Sequence, residues 1–257
     1  MSSVQIDRAR DFVSSLELPA ASRSVTRELP AFDFESSKEQ ALVVGSQLVS
    51  FVPEILPEER RDIVNALLLA QLRAKKGVPL PSDLASVREW YQQYFEVLSR
   101  IGFVIQQTNL QKYEEKGDGF EAHEAVLEVA ATLLVGAPTA LAVLTTTLQA
   151  LKKMDASNPW ITLFNRESRS ANTAHFQVSS AARDADGGVF VVLTAFALEA
   201  KSKITQVLFF KFRANEVTIE NSAGKATINA AVLAGVRQDI SKKLLGLTSE
   251  YIGELEI

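Results

Sequence analysis

Few residues in this chain are of the kind that do chemistry, and their spacing argues for turns and helix faces. There are two histidines and no cysteine. His123 falls on a polar turn of an expected helix, beside Glu121 and Glu124, and reads as part of a solvated face; His175 opens an expected strand. Zinc needs three or four protein ligands that include His or Cys, and neither histidine has the neighbours for that, so no metal site is expected. Without cysteine, disulfides, thiol catalysis, cysteine-based zinc sites and S-acylation are excluded. Asp184 and Asp186 sit in "DADGG", where turn chemistry explains them better than an acid–base pair does. The "GDGF" at 117–120 is a lone loop, and no nucleophile elbow, P-loop or dinucleotide fingerprint is present. The expectation is a protein with no catalytic, metal-ligating or cofactor-binding residues, and not an enzyme. A small-ligand binder would need a closed pocket of convergent polar groups, and the sequence shows none.

The bulk properties agree with that. The 257 residues are 47% hydrophobic with a net charge of −4, an ordinary soluble composition without the basic excess that nucleic acid would call for. The N-terminus, "MSSVQIDRARDFVSSLELPA", carries charges where a signal peptide needs its apolar core. Secretion or release would follow another route.

The chain is organised around residues 187–213, "GGVFVVLTAFALEAKSKITQVLFFKFR". Two apolar runs, 189–198 and 204–212, flank the short polar "EAKSK", which predicts an antiparallel hairpin. Both faces of each run are apolar. A strand greasy on both sides must be covered on both sides, by helical layers or by lipid, whereas an ordinary antiparallel strand alternates because one face meets water.

The other elements follow in order. A weakly amphipathic segment reaches about residue 21, and "RSVTREL" (23–29) reads as a short strand. Ser36 and Glu39 have capping-box spacing, which predicts a helix with Leu42, Val44, Leu48, Val49 and Phe51 on one stripe. Pro57, Glu58 and Glu59 open a helix that Lys75, Lys76 and Gly77 close. A third helix follows "PLPSD", with Leu84, Val87, Tyr91, Tyr94, Phe95 and Leu98 inward. "IGFVIQQ" (101–107) reads as a strand and "QKYEEKGDG" as a polar loop. No charge interrupts 129–151; the "GAP" in its middle predicts a helical hairpin over 121–135 and 138–153, and not a membrane span. Strands are expected at "PWITLFN" (159–165), with Trp160 as core or as a membrane-interface ring, at "HFQVSSAAR" (175–183) and at "EVTIEN" (216–221). A helix is expected from about residue 230. Together these predict an α+β fold: a single-domain α/β/α sandwich over 1–257, its mainly antiparallel sheet flanked by two helical hairpin layers.

Residues 101–228 resemble the Cyt family of bacterial cytolytic δ-endotoxins, which the volvatoxin-type fungal cardiotoxins also resemble. The likeness is carried by "KITQVLFFKF" with "VTIENSAGKATIN", by "DGGVFVVLTAFALEAKSK", "NPWITLFNRES" and "AVLEVAATLLVGAPTALAVLTTTLQAL", and by "IGFVIQQ". It implies a pore-forming cytolysin, an insecticidal or virulence toxin, soluble at first and then bound directly to phospholipid of a target-cell membrane without enzymatic chemistry. It also implies a homo-oligomer on the membrane, a homodimer in solution, and removable terminal segments at 1–22 and about 231–257. Lys201, Lys203, Arg23 and Arg27 are trypsin-type sites. The residues expected to meet lipid are Val189, Val191, Leu193, Phe196, Leu198, Ile204, Val207, Leu208, Phe209, Phe210, Phe212 and Trp160. The alternative is a non-lytic effector or structural protein that keeps this fold.

Overall fold

A computed structural model describes residues 3–20, 34, 38–106, 108–113, 120–209, 211–212 and 216–255. The first half contains α1 (Ser3–Ser15), β1 (Gln40–Val44), β2 (Gln47–Phe51), α2 (Pro57–Gly77), α3 (Leu84–Arg100), β3 (Phe103–Ile105), β4 (Gln111–Lys112), β5 (Phe120–Glu121) and α4 (Ala122–Leu133). Then come α5 (Pro138–Lys153), α6 (Pro159–Ser168), β6 (Arg169–Ser170), β7 (Thr173–Arg183), β8 (Val189–Ala200), β9 (Lys211–Phe212), β10 (Val217–Ile228), α7 (Ala230–Leu244), α8 (Thr248–Tyr251) and β11 (Ile252–Leu255). The fold is α+β. The main sheet runs β11-β1-β2-β7-β8-β10-β3, with β4 on β10 and β6 on β7. Only β2 and β7 pair in parallel among the described strands.

The helices start where capping chemistry puts them. Glu59 accepts the Leu56 N–H at 2.9 Å ahead of Pro57, and Asp83 accepts the Ser86 N–H at 2.7 Å. The hairpin pair α4–α5 and the helix α7 fall close to the predicted segments.

Three expectations are corrected. Residues 40–51 are a β-hairpin, not a helix. The apolar spacing suits either period, and the turn decides: Gly45 takes φ +57°, and the Gln71 side chain from α2 closes the turn. Its Oε1 accepts from the Ser46 N–H at 3.0 Å and its Nε2 donates to the Val44 carbonyl at 2.9 Å. A Cβ at position 45 would come within 2.6 Å of Gln71 Oε1. "PWITLFN" is the helix α6, because Asn158 Oδ1 accepts the Trp160 N–H at 3.0 Å and Pro159 supplies a ready-made first turn. Finally, 204–209 is no strand and does not pair with β8. Its place is taken by β10, which runs antiparallel to β8 from Val217↔Ala200 to Thr227↔Phe190, while β7 holds the other edge. The two-residue β9 pairs with β5 instead. The expected strand at 23–29, Ser36 of the expected capping box, and Arg23 and Arg27 lie outside the described residues.

Arg60 of α2 is fully buried and donates to the Ile55 carbonyl (2.8 Å), the Val52 carbonyl (3.1 Å) and Gln40 Oε1 (3.3 Å). Truncation would leave these acceptors without water. Arg60→Ala is expected to lower stability by about 3 kcal/mol, read from the urea midpoint at unchanged slope.

Candidate functional site

The central strands are covered on both sides, as their apolar faces require: β7 and β8 are buried almost end to end. The strand period and the register assign each residue to a face. His175, Gln177 and Ser179 of β7 share one face with Ala197, Ala195 and Leu193 of β8, Gln47 and Val49 of β2, and Glu220 and Ser222 of β10. Phe176 and Val178 share the other with Phe196, Thr194, Phe190, Val192 and Leu198.

The first face is fastened to α2 and α3 by polar contacts. The Tyr91 hydroxyl sits 2.8 Å from the carbonyls of both Phe176 and Phe196 and accepts from Gln177 Nε2 at 2.9 Å. Tyr94 donates to Gln47 Oε1 at 3.0 Å, and Gln71 reaches the same oxygen at 3.2 Å. Burial pushes both phenols up, so they stay protonated as donors. Arg88 of α3 grips Glu220, and Arg183 meets Glu59 of α2 at 2.6 Å. A network of this kind is stiff because breaking any member strands a buried partner.

The second face meets α4, α5 and α6 through apolar contact. The rings of Phe176 and Phe196 stack at 5.1 Å, and Phe164 of α6 meets Phe176 edge-on at 6.0 Å. Ala125, Val126 and Ala130 of α4 and Ala140, Val143, Leu144 and Leu148 of α5 are buried, α4 against β8 and β10, α5 against β2 and β7. The hydrogen bond from Ser180 Oγ to the Ala140 carbonyl is long, at 3.5 Å. At the hairpin tip Val135 is 82% exposed. Phe196→Ala is expected to cost about 3–4 kcal/mol in a urea titration, the transfer and cavity cost of a buried ring.

The expected lipid-facing residues divide between these environments. Val191 and Leu193 belong to the first face, Phe196 and Leu198 to the second, and Val189 is half-buried at the start of β8. Ile204, Val207 and Leu208 are buried in an irregular segment that crosses α6 and α4. The Ile204 N–H reaches the Ala171 carbonyl (3.0 Å), the Val207 N–H reaches Asn165 Oδ1 (3.1 Å), and the Leu208 carbonyl accepts from the His123 N–H (3.0 Å). Phe209 packs against His123, ring centroids 5.2 Å apart. Phe210 lies outside the described residues, and Phe212 is in β9. Trp160 is buried in α6.

His123 is not on a solvated face: its side chain is 12% exposed, with Nδ1 3.1 Å from Glu121 Oε2. Burial and then the Lys152 ammonium hold it below the usual histidine range, against the pull of Glu121 and Glu124. Asp184 behaves as a turn residue, its Oδ1 accepting the N–H groups of Asp186 (3.1 Å) and Gly188 (2.7 Å). Among the described residues no three His, Asp or Glu side chains gather as a metal site, and no helix is long and apolar enough to cross a membrane. Sequence reasoning missed the pairing partner Phe176, whose alternation with Gln177 and Val178 was legible only as a generic strand.

No protein-family model and no curated protein matches this chain. Solved structures similar to it include a delta-endotoxin, 15% identical over 82% of this chain and 90% of that one, with a TM-score of 0.40. The Evf virulence factor is 14% identical over 96% and 90%, TM-score 0.34. The activated Cyt2Ba monomer from Bacillus thuringiensis subsp. israelensis is 11% identical over 71% and 96%, TM-score 0.38. Likenesses at this level assign neither a family nor an activity.

Proposed function

We propose that the protein is a membrane-permeabilising cytolysin that works by parting one helical layer from its sheet. The observation that carries this reading is the asymmetry of the two interfaces. The α2–α3 layer is bolted on by buried polar groups, whereas the α4–α5 layer rests on stacked phenylalanines and short aliphatic side chains. Lipid replaces water-excluding apolar contact at little cost, but it cannot replace the Tyr91–Gln177 and Arg88–Glu220 bonds. On a bilayer the hairpin leaves first. Its exposed tip, at Val135, and its uncharged run over 129–151 suit the interface, where an amphipathic helix lies with its apolar side down.

Departure of α4 breaks the bond from His123 to the Leu208 carbonyl and loosens the far end of the 204–209 segment, which the Ala171 carbonyl and Asn165 still hold at Ile204 and Val207. Phe196, Leu198, Val207 and Leu208 are the side chains it uncovers. Backbone groups in lipid must be paired, so a sheet opened in this way requires a homo-oligomer that protects its edges. The terminal segments pack elsewhere: Arg237 of α7 holds Asp62 of α2 with two bonds of 2.7 Å, and Arg10 of α1 reaches the Gly235 carbonyl at 3.0 Å. The sequence resemblance to the Cyt family supports the same activity, with the target-cell phospholipid as the partner.

The test is dye release from unsaturated phosphatidylcholine vesicles at micromolar protein, before and after limited proteolysis. Release is expected in at least one of the two states. Intact vesicles in both would overturn the reading.

A further inference from the structure

The helix α6 covers the same face of the sheet as α4 and α5 and follows α5 directly in the chain, yet it is held differently. Glu167, its side chain 8% exposed, accepts from Lys75 Nζ of α2 at 2.6 Å, a bond between helices on opposite faces of the sheet. Lys75 also reaches the Tyr251 hydroxyl of α8 at 3.4 Å, and Arg166 donates to the Glu250 carbonyl at 3.3 Å. Asn165 Oδ1 accepts the Val207 N–H at 3.1 Å, and Arg169, just past the helix end, donates to the Ile204 carbonyl at 2.8 Å.

The link from α5 to α6 is built the other way. Asp155, Ala156 and Ser157 are exposed, and the hydrogen bonds of this link are local. Asp155 Oδ1 accepts the Ser157 N–H at 2.8 Å, and the Asp155 carbonyl accepts the Asn158 N–H at 2.9 Å. The open end of the hairpin is stitched within itself, Lys152 Nζ to Glu121 Oε2 at 2.8 Å, so α4 and α5 can move as one body.

Resting on the permeabilising reading above, we propose that residues 155–157 are the hinge on which the α4–α5 hairpin swings, while α6 stays on the sheet, clamped by the Lys75–Glu167 pair. Lipid replaces apolar contact, but it offers no partner to a buried carboxylate or its ammonium, so parting this pair strands two charges in a poor solvent. Turning about 155–157 breaks none of the bonds that hold α6. Phe164 then remains on Phe176, Trp160 stays covered, and the opening is confined to what α4 and α5 cover.

Spin labels at Glu89→Cys on α3 and Thr162→Cys on α6, both exposed positions, report whether α6 stays. Thr162→Cys with Gln149→Cys reports the turn between α6 and α5. On unsaturated phosphatidylcholine vesicles that leak, the α3–α6 distance is expected to keep its solution value and the α5–α6 distance to change. Lys75→Met with Glu167→Leu puts apolar side chains of similar size in place of the pair, a replacement that folded proteins tolerate and that lipid can part. In that background the α3–α6 distance should match the parent in solution and lengthen on vesicles by about one helix diameter, roughly 10 Å. Three results on leaking vesicles would overturn the hinge and its clamp while the permeabilisation reading stands: a longer α3–α6 distance in the parent, an unchanged α5–α6 distance, or an α3–α6 distance in the Lys75→Met/Glu167→Leu protein that keeps its solution value. Vesicles that stay sealed would overturn the reading and the hinge together.

Discussion

A disulfide between α5 and the sheet is expected to abolish vesicle permeabilisation, and reduction to restore it. Ser180 Oγ lies 3.5 Å from the Ala140 carbonyl across the interface, so Ala140→Cys with Ser180→Cys is the pair to cross-link where α5 and β7 approach each other, its oxidation checked by free-thiol titration. The chain has no cysteine of its own, which leaves this pair nothing else to oxidise with. The covalent link removes the one movement the mechanism needs and leaves the polar α2–α3 interface untouched. Dye release should fall at least tenfold in the oxidised protein and return on adding dithiothreitol. The reduced double variant is its own control for folding, since both forms share every side chain.

Acid should destabilise the other half of the molecule. His175 is held down to about 3 by burial first and the Lys75 ammonium second. In the unfolded chain it titrates at its ordinary value, near 6.5. Between pH 6.5 and about 3 the unfolded chain therefore binds a proton here that the folded chain refuses, so stability falls as pH drops through that window and is fully present above it. The shift is worth up to about 5 kcal/mol at the acid end. His123, also held below its usual range, adds in the same direction. Asp62, whose carboxyl burial raises to about 7, works in the opposite direction over the same range, so the test is a comparison: from pH 7.5 to 4 the urea midpoint should fall further in the wild type than in His175→Gln. Parallel pH profiles for the two proteins would contradict the burial of a neutral imidazole.

Much of the helical half was legible because its signals are local. Pro57 with Glu58 and Glu59, Asp83 before Leu84, and Gly136 with Pro138 each mark a boundary that needs no tertiary information. The two-faced β8 was legible too, since no solvent-exposed strand carries Phe190, Val191, Val192 and Leu193 in succession. The hairpin at 40–51 was not: its stripe fits a helix, and a side chain 26 residues past Gly45 on another element, Gln71, fixes its turn. Nor was the partner of β8. "ITQVLFFKF" looks more strand-like than "VTIENSAGKATI", yet the longer segment wins by pairing along nearly the whole of β8. Ser222, Gly224 and Lys225 hid that length by interrupting the apolar pattern. The cavity of about 310 Å³ that His175 lines left no trace because its walls, among them Ser46, Leu72, Trp90 and Tyr251, come from separate parts of the chain.

The most direct measurement is the distance between the two helical layers with and without lipid. Spin labels at Glu89→Cys on α3 and Gln149→Cys on α5, both solvent-facing positions, report the separation across the sheet. A Lys76→Cys/Glu89→Cys pair spans α2 and α3. On unsaturated phosphatidylcholine vesicles the first distance should lengthen while the second stays constant. Vesicles that leak while the α3–α5 distance keeps its solution value would contradict the account.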